Sequence, residues 1–100
     1  MSRYANETEY QHELIGKLSM ILPDCFVMKN DPEQYQGIPD LLILFENRWA
    51  MLEVKLSENS PTQPNQPYYV DLFNEMSFAA FIYPEIEDEV LEELLLRMAS

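Results

Sequence analysis

The sequence predicts an α/β domain in which a mixed sheet lies between helices. Hydrophobic residues make up 47% of the 100 residues, which is ordinary for a globular protein and excludes disorder along the whole chain. Two neighbouring segments, 40–46 and 49–55, are apolar on both faces, as in strands buried between two layers of helices. A chain of this length can form one hydrophobic core, so we expect residues 1–100 to be a single domain.

The first part of the chain predicts a helix and a strand. Apolar residues recur at spacings of three and four over 6–22, the pattern of an amphipathic helix, and Pro23 ends it. The short apolar run over 25–29 predicts a strand. Residues 30–38 are rich in turn-forming residues, so they predict a loop.

The last part of the chain predicts a helix, a strand and a second helix. A polar loop over 56–64 leads to Asn65, which can cap a helix that carries Pro67 in its first turn. Residues 78–83 are apolar and aromatic, so they predict a fourth strand. An apolar stripe at helical spacing over 86–98 predicts the last helix. The predicted order is αβββαβα, and a central mixed four-stranded sheet flanked by helices is the economical arrangement.

The connection between the two central strands predicts which side chains share a face. If Asn47 and Arg48 form the two-residue loop of a hairpin, Asp40 lies opposite Lys55. Side chains alternate across a strand, so Asp40, Glu53 and Lys55 project from one face. Asp40 and Glu53 are then diagonal neighbours, with Cα atoms about 7–8 Å apart.

Two carboxylates in this position predict a site for a divalent cation. Charged side chains at the end of buried strands lose hydration energy, and a bound cation offsets that loss. Mg²⁺ prefers a few carboxylate oxygens and water, and leaves positions open for phosphate. Such an ion can activate a water beside a phosphodiester, and the neighbouring Lys55 can stabilise the pentacovalent phosphate. An ion pair between Asp40 and Lys55 that only ends the hairpin is the structural alternative.

The segment Gly37-Ile38-Pro39-Asp40, followed by Glu53-Val54-Lys55, resembles the PD-(D/E)xK nuclease motif. More narrowly, the chain is similar to the VRR-NUC type of small phage and repair nucleases. The similarity covers nearly the whole chain, because the predicted order of elements also matches that family. It implies a restriction-endonuclease-like core and an endonuclease that hydrolyses DNA with Mg²⁺ or Mn²⁺.

The resemblance also implies roles for individual residues. Asp40 and Glu53 resemble the metal ligands of the family, and the backbone carbonyl of Val54 is a candidate third ligand. Lys55 resembles the catalytic lysine. These four residues are the centre of the expected active site.

Two further site residues follow from the same resemblance. Family members usually carry a glutamate on the first helix, and Glu7, Glu9 and Glu13 are the candidates here. Glu7 is favoured because it is in register with the buried stripe of that helix. A glutamine often begins the helix after the lysine strand, and Gln66 fits better than Gln63. A solvated helix face or an ordinary loop position is the structural alternative for each.

The net charge of −12 is unusual for a protein that handles nucleic acid. Lys and Arg normally replace the counterions of the phosphates, and this chain has 6 basic against 18 acidic residues. Many of the acids lie in 85–93, which can face away from a substrate. The charge also favours an alternative function, a non-catalytic accessory protein or acidic nucleic-acid mimic on the same fold. A protein partner that supplies positive charge is another expectation.

The remaining expectations concern substrate, assembly and location. We expect DNA as the substrate, with selectivity for branched or structured forms, and a homodimer, because so short a chain offers little separate binding surface. Tyr35, Tyr68 and Tyr69 are candidates for stacking on unpaired bases, with core packing as the alternative. No apolar run reaches the roughly 20 residues of a membrane span and Cys25 is the single cysteine. We therefore expect no membrane segment, no internal disulfide and a cytoplasmic location.

Overall fold

A computed structural model describes residues 4–99, which form a four-stranded mixed sheet flanked by helices. The order of elements is αβββαβα, which confirms the prediction. The helices are α1 (Glu7–Ile21), α2 (Asn65–Met76) and α3 (Glu87–Ala99), and the strands are β1 (Phe26–Lys29), β2 (Leu41–Phe45), β3 (Arg48–Val54) and β4 (Phe78–Ile82). A short 3-10 turn, Pro84–Ile86, precedes α3. Within residues 4–99, no helix is long and apolar enough to cross a membrane.

The strands lie in the order β1-β2-β3-β4. Neighbours β1, β2 and β3 run antiparallel, whereas β3 and β4 run parallel. A parallel pair needs a crossover connection, and α2 supplies it. The start of β2 and the ends of β3 and β4 therefore meet at one edge of the sheet. Residues 40 and 53–55 lie at this edge, because they precede β2 and end β3.

One face of the sheet is covered by α1 and α3. Helix α1 begins at Glu7 because the Asn6 side chain caps it, its Oδ1 accepting from the Glu9 N–H at 2.9 Å. Its buried stripe is Tyr10, Leu14 and Leu18, and these side chains form the core together with Leu41, Ile43, Ala50, Leu52, Leu94 and Met98. Burial of each apolar side chain of this size stabilises the folded state by roughly 1.5–3 kcal/mol. The core therefore holds β2 and β3 in fixed positions, and with them the residues on the opposite face of the sheet.

The other face is covered by α2 over β3 and β4 alone. Trp49 of β3 meets Phe73 of α2 edge to face, with ring centroids 6.1 Å apart. Phe26 and Met28 of β1 stay 71% and 52% exposed. Helices therefore flank both faces of the sheet, which confirms the prediction, and the edge strand β1 is left exposed on the α2 side, beyond the 12 residues of that helix.

The hairpin between β2 and β3 differs from the predicted one. Glu46 and Asn47 form the two-residue loop, and Arg48 already pairs with Phe45. The prediction of an Asn47-Arg48 loop is wrong, because the observed register places Trp49 opposite an apolar partner, Leu44, instead of opposite Glu46. Glu46 instead occupies the turn with φ of 56°, the positive φ that tight hairpin turns require.

The corrected register changes the partner of Asp40. Leu41 pairs with Leu52, so extending the ladder by one pair places Asp40 opposite Glu53, and the predicted Asp40–Lys55 pair is wrong. The register moves by two residues, and side chains alternate with a period of two. The prediction that Asp40, Glu53 and Lys55 share one face therefore survives the correction.

The loop before Asp40 is pressed against the start of α2. Gly37 has φ of 93°, and a Cβ built there would lie 2.5 Å from the Cβ of Asn65. The Asn65 side chain does not cap α2, as the sequence had indicated, but donates from Nδ2 to the carbonyl of Gln36 at 3.2 Å. The close approach that a glycine permits thus fixes the loop 30–38 beside Gln66.

Candidate active site

Asp40 lies where the ladder between β2 and β3 ends. Strand β2 begins only at Leu41, and the Asp40 side chain takes the place of a backbone acceptor: its Oδ2 accepts from the Val54 N–H at 2.9 Å. The N–H and C=O of one residue point to the same side of a strand. The carbonyl of Val54 is therefore directed toward Asp40, on the side where a third oxygen ligand is expected.

Glu53 is the most buried charged residue of this edge, with 2% of its surface exposed. Its Oε2 accepts from Nε2 of Gln66 at 3.0 Å and lies 3.8 Å from Nζ of Lys55. Its Oε1 is buried and has no hydrogen-bond partner among the described residues. A buried carboxylate oxygen without a partner is costly, so the geometry favours a cation or a proton at this atom.

The protonation of Glu53 reflects this environment. Burial raises the pKa of Glu53 to about 8, with the nearby Asp40 carboxyl, which is close enough to share a hydrogen bond, as the next cause. The ammonium of Lys55 lowers that pKa, and the carboxylate of Glu7 raises it. In the metal-free protein the pair of Asp40 and Glu53 therefore retains a proton at neutral pH.

Gln66 connects the carboxylate to the lysine. Its Oε1 accepts from Nζ of Lys55 and from the backbone N–H of Gln63, both at 2.9 Å. The backbone N–H can only donate, which fixes the amide oxygen on that side and turns Nε2 toward Glu53. Of the two candidate glutamines, Gln66 thus contacts both charged groups, whereas Gln63 orients it through the backbone.

Lys55 is 7% exposed and is held on two sides. Besides Gln66, its Nζ donates to the carbonyl of Pro61 at 3.0 Å. An ammonium has three N–H donors, so one remains for a phosphate oxygen or a water. The sequence did not point to Pro61, because its position depends on how the loop 56–64 folds back over β3.

Glu7 is exposed in the first turn of α1, and its charge is felt at Glu53. Of the three candidates, Glu7 is the one whose charge is among the main causes that raise the pKa of Glu53. The N–H of Glu9 is taken by the cap, and the Glu13 carboxylate lies 3.9 Å from Nζ of Lys17. Among the three candidate glutamates, Glu7 therefore has the clearest electrostatic effect on the pair of Asp40 and Glu53.

The donor set fits a hard divalent cation. Among residues 4–99, no group of three His, Cys, Asp or Glu side chains is arranged as a metal site, so the side-chain donors at this edge are the carboxylates of Asp40 and Glu53. Mg²⁺ is usually held by one or two carboxylates with water in the other positions. The partnerless Oε1 of Glu53 and the direction of the Val54 carbonyl are consistent with such an ion.

A cavity of about 320 Å³ opens beside Lys55. It is lined by Lys55, Ser57, Ser60, Thr62, Phe81 and Tyr83, among others. Hydroxyl groups donate to phosphate oxygens without adding charge. The Ser- and Thr-rich composition of the loop 56–64 was the available signal for this surface, although the sequence analysis assigned it only as a loop.

Comparison with known proteins shows a structural similarity but no sequence match. No protein-family model and no curated protein matches the sequence. A solved structure of a protein described as a VRR_NUC domain protein superposes with a TM-score of 0.71 at 17% sequence identity, and covers 97% of this chain and 91% of that one. The chain therefore has the fold of that VRR_NUC domain protein.

Proposed function

We propose that this protein is a Mg²⁺- or Mn²⁺-dependent DNA endonuclease that hydrolyses phosphodiester bonds at the edge formed by Asp40, Glu53 and Lys55. The observation that carries the proposal is the buried Glu53 carboxylate, which has a partnerless oxygen and a second carboxylate directly opposite. Without a cation, two carboxyl groups this close and this buried must share a proton, an arrangement that a purely structural role does not require. The nuclease fold supports the same function.

The carboxylates have distinct tasks in this proposal. When bound, the metal ion would supply Lewis-acid activation of a water and neutralise charge on the phosphodiester. Asp40 is oriented by the Val54 N–H through Oδ2, so its carboxyl group is held beside Glu53, where a cation would replace the proton that the two groups share. Glu53 is oriented by Gln66 through Oε2, which leaves Oε1 for the ion. Such supporting hydrogen bonds hold ligands in place before the ion arrives.

Lys55 and Glu7 complete the site. The remaining N–H of Lys55 donates to the attacking water or to a phosphate oxygen, where it stabilises charge that grows in the transition state. Glu7 is exposed at the start of α1 and reaches the ion through a water. The hydroxyl-lined cavity beside Lys55 would receive the neighbouring phosphates.

The test is a cleavage assay on supercoiled, linear, single-stranded and four-way-junction DNA, with EDTA, Mg²⁺ or Mn²⁺. Glu53→Gln and Lys55→Met keep the size of each side chain and remove its charge. We expect metal-dependent cutting that falls by about 100-fold or more in both variants, the range of lost acid–base and electrostatic catalysis. Glu89→Gln, an exposed carboxylate of α3, is the matched control and should cut like the wild type.

Two results would contradict the proposal. One is cutting that persists in EDTA or in both site variants, which would point to a contaminating nuclease. The other is a folded wild type that binds the metal ion, as shown by calorimetry, and cuts none of the substrates. The acidic accessory or mimic function would then be preferred, because the net charge of −12 favours it, and binding to a basic DNA-handling protein would be measured next.

Assembly and selectivity belong to the same proposal. A homodimer would place two sites on two DNA strands, and the exposed apolar side chains of Phe26 and Met28 on β1 offer a surface for a second copy. Preference for branched DNA would then follow from the spacing of the two sites. Sedimentation equilibrium of the wild type and Phe26→Asp tests this point, with a monomeric wild type as the contradicting result.

A further inference from the structure

Three tyrosines form a cluster where the loop 30–38 meets α2. Tyr35 and Tyr68 each contact the central ring of Tyr69 edge to face, with centroids 6.5 and 5.1 Å away. Tyr69 itself stacks on Phe73 at 5.8 Å, and Phe73 meets Trp49 of β3. The two outer rings are therefore anchored through Tyr69 to the sheet, yet 52% of Tyr35 and 62% of Tyr68 remain exposed. We call Tyr35 and Tyr68 the tyrosine pair.

The fold places the tyrosine pair beside the active site. Tyr68 follows Gln66 by two residues on α2, a rise of about 3 Å along the axis, although the two side chains leave the helix on different sides. Gln66 binds both Glu53 and Lys55. Tyr35 precedes Asp40 in the loop that the contact between Gly37 and Asn65 presses onto α2. The same close approach that positions the loop beside the carboxylates thus brings the two exposed rings together.

Burial does not account for the tyrosine pair. Large apolar side chains that serve the core lose most of their exposed surface, as Tyr10 does at 0% exposure. Exposed aromatic rings held in fixed positions are instead enriched where one face must meet a ligand. Nucleobases are the planar ligand that a nuclease site brings to this edge.

The negative charge around the tyrosine pair leaves base stacking as the main source of affinity for nucleic acid. The segments 30–37 and 65–76, which carry the tyrosine pair, contain Asp and Glu but no Lys or Arg. The exposed Lys29 directly precedes the first segment at the end of β1, so ion pairs with phosphates, the usual source of affinity for nucleic acid, are few on this surface. Stacking of a base on an aromatic ring is worth about 1–3 kcal/mol and needs no positive charge.

We propose that Tyr35 and Tyr68 stack on the unpaired bases of a DNA strand whose backbone enters the active site. The inference rests on the proposed function and names its substrate class, DNA with single-stranded or splayed bases. In a paired duplex the faces of the bases are covered by their neighbours, so the tyrosine pair selects against it. The bound strand is held by stacking and by the site cation, and salt weakens its binding little.

The test measures binding of a short oligothymidylate and of a blunt hairpin duplex, with Ca²⁺ in place of Mg²⁺, by fluorescence anisotropy. We expect the single strand to bind more tightly and Tyr35→Ala and Tyr68→Ala each to weaken it by about 5- to 100-fold. Tyr35→Phe and Tyr68→Phe keep the ring and should bind like the wild type. Met76→Ala removes an apolar side chain of equal exposure, 63%, from the same helix, and should also change nothing.

The salt dependence of DNA binding provides a second test. A structural role of Tyr35 and Tyr68 would not affect it. Between low and physiological salt, the affinity of the wild type for the single strand should fall by less than about fivefold, since few phosphates are neutralised. Unchanged binding in both alanine variants, or equal binding of duplex and single strand, would overturn the inference. Metal-dependent cutting that persists with either result would leave the proposed nuclease function standing, whereas absence of both cutting and DNA binding would remove both.

Discussion

Asp40 and Glu53 stand opposite each other where the β2–β3 hairpin ends, and their carboxyl groups are close enough to share a hydrogen bond. Glu53 is 2% exposed, so neither water nor salt screens the repulsion between the two groups. The arrangement is stable without a cation only while one of the two groups is protonated. Several measurable properties follow from this pair.

The stability of the metal-free protein should fall as pH rises. The folded-state pKa of Glu53, about 8, lies above that of an unfolded glutamate, so the folded state binds the proton more tightly. The resulting stabilisation is fully present below about pH 4.5 and is lost as pH rises through about 8, on the order of 5 kcal/mol in total. Urea unfolding in EDTA should show this slope in the wild type and a flatter one in Glu53→Gln, and equal slopes would refute it.

Metal binding should release a proton. Below pH 8 the ion must displace the proton of Glu53, so the affinity for Mg²⁺ or Mn²⁺ rises with pH and levels off above the pKa. Calorimetry in buffers of different ionisation enthalpy measures the number of protons released, which should approach one near pH 6 to 7. No release at that pH would show that the ion binds elsewhere.

Loss of Gln66 should impair catalysis more than folding. Gln66→Leu removes the bridge between Glu53 and Lys55 while keeping the size of the side chain. We expect metal affinity or kcat to fall by about 10- to 100-fold, as for other groups that orient metal ligands. Gln63→Leu is the matched control, because its backbone N–H, which is retained, is the group that contacts Gln66. Comparable losses in both variants would argue against the assigned role.

The two glycines should respond oppositely to alanine. Gly37→Ala would force a Cβ to within 2.5 Å of Asn65 at φ of 93°, and we expect a loss of about 1–3 kcal/mol in the free energy of unfolding. Gly16 lies within α1 with no atom within 4 Å of a built Cβ, so Gly16→Ala should stabilise by about 0.5–1 kcal/mol. Thermal and urea unfolding of both variants measures these changes. A change of the same sign in the two variants would contradict the prediction.

A second buried carboxylate should prove structural. Glu87 of α3 accepts from the hydroxyl of Tyr10 at 2.9 Å and from Nζ of Lys17 at 2.6 Å, and so joins α3 to α1. Burial and Glu87 raise the pKa of Tyr10, which keeps the phenol protonated. Tyr10→Phe should cost about 1 kcal/mol of stability and Glu87→Ala about 2–4 kcal/mol, with DNA cutting per folded molecule unchanged. Lost cutting in folded Tyr10→Phe would contradict a purely structural role.

The sequence predicted the elements well because their signals are local. Helical periodicity over 6–22 and apolar strands followed by turn residues depend on neighbours in the chain. The hairpin register was missed because a two-residue loop at Glu46-Asn47 and one at Asn47-Arg48 keep the same side chains on the same face. The two registers differ in cross-strand partners, since the observed one pairs Trp49 with Leu44 and the predicted one would pair it with Glu46.

The sequence named the candidate site residues but could not predict the contacts between them. Asp40, Glu53 and Lys55 stood out as charges at the ends of apolar strands. The contacts of Lys55 with Pro61 and Gln66 depend on the path of a loop whose composition allows many conformations. The choice among the glutamates of α1 depends on where the helix docks, which periodicity alone does not set.

The exposed acids of α3, Asp88, Glu89 and Glu92, project from the face of the sheet opposite to Asp40 and Glu53. A polyanion that drifts toward that side is repelled over about 8–10 Å at physiological salt. In the proposed function this repulsion would disfavour approach of DNA from the α3 side, and the acidic segments 30–37 and 65–76 would add repulsion on the other side. Salt screens this repulsion, just as it weakens attractive electrostatic steering in other proteins. The rate constant for association with DNA should therefore stay constant or rise with ionic strength.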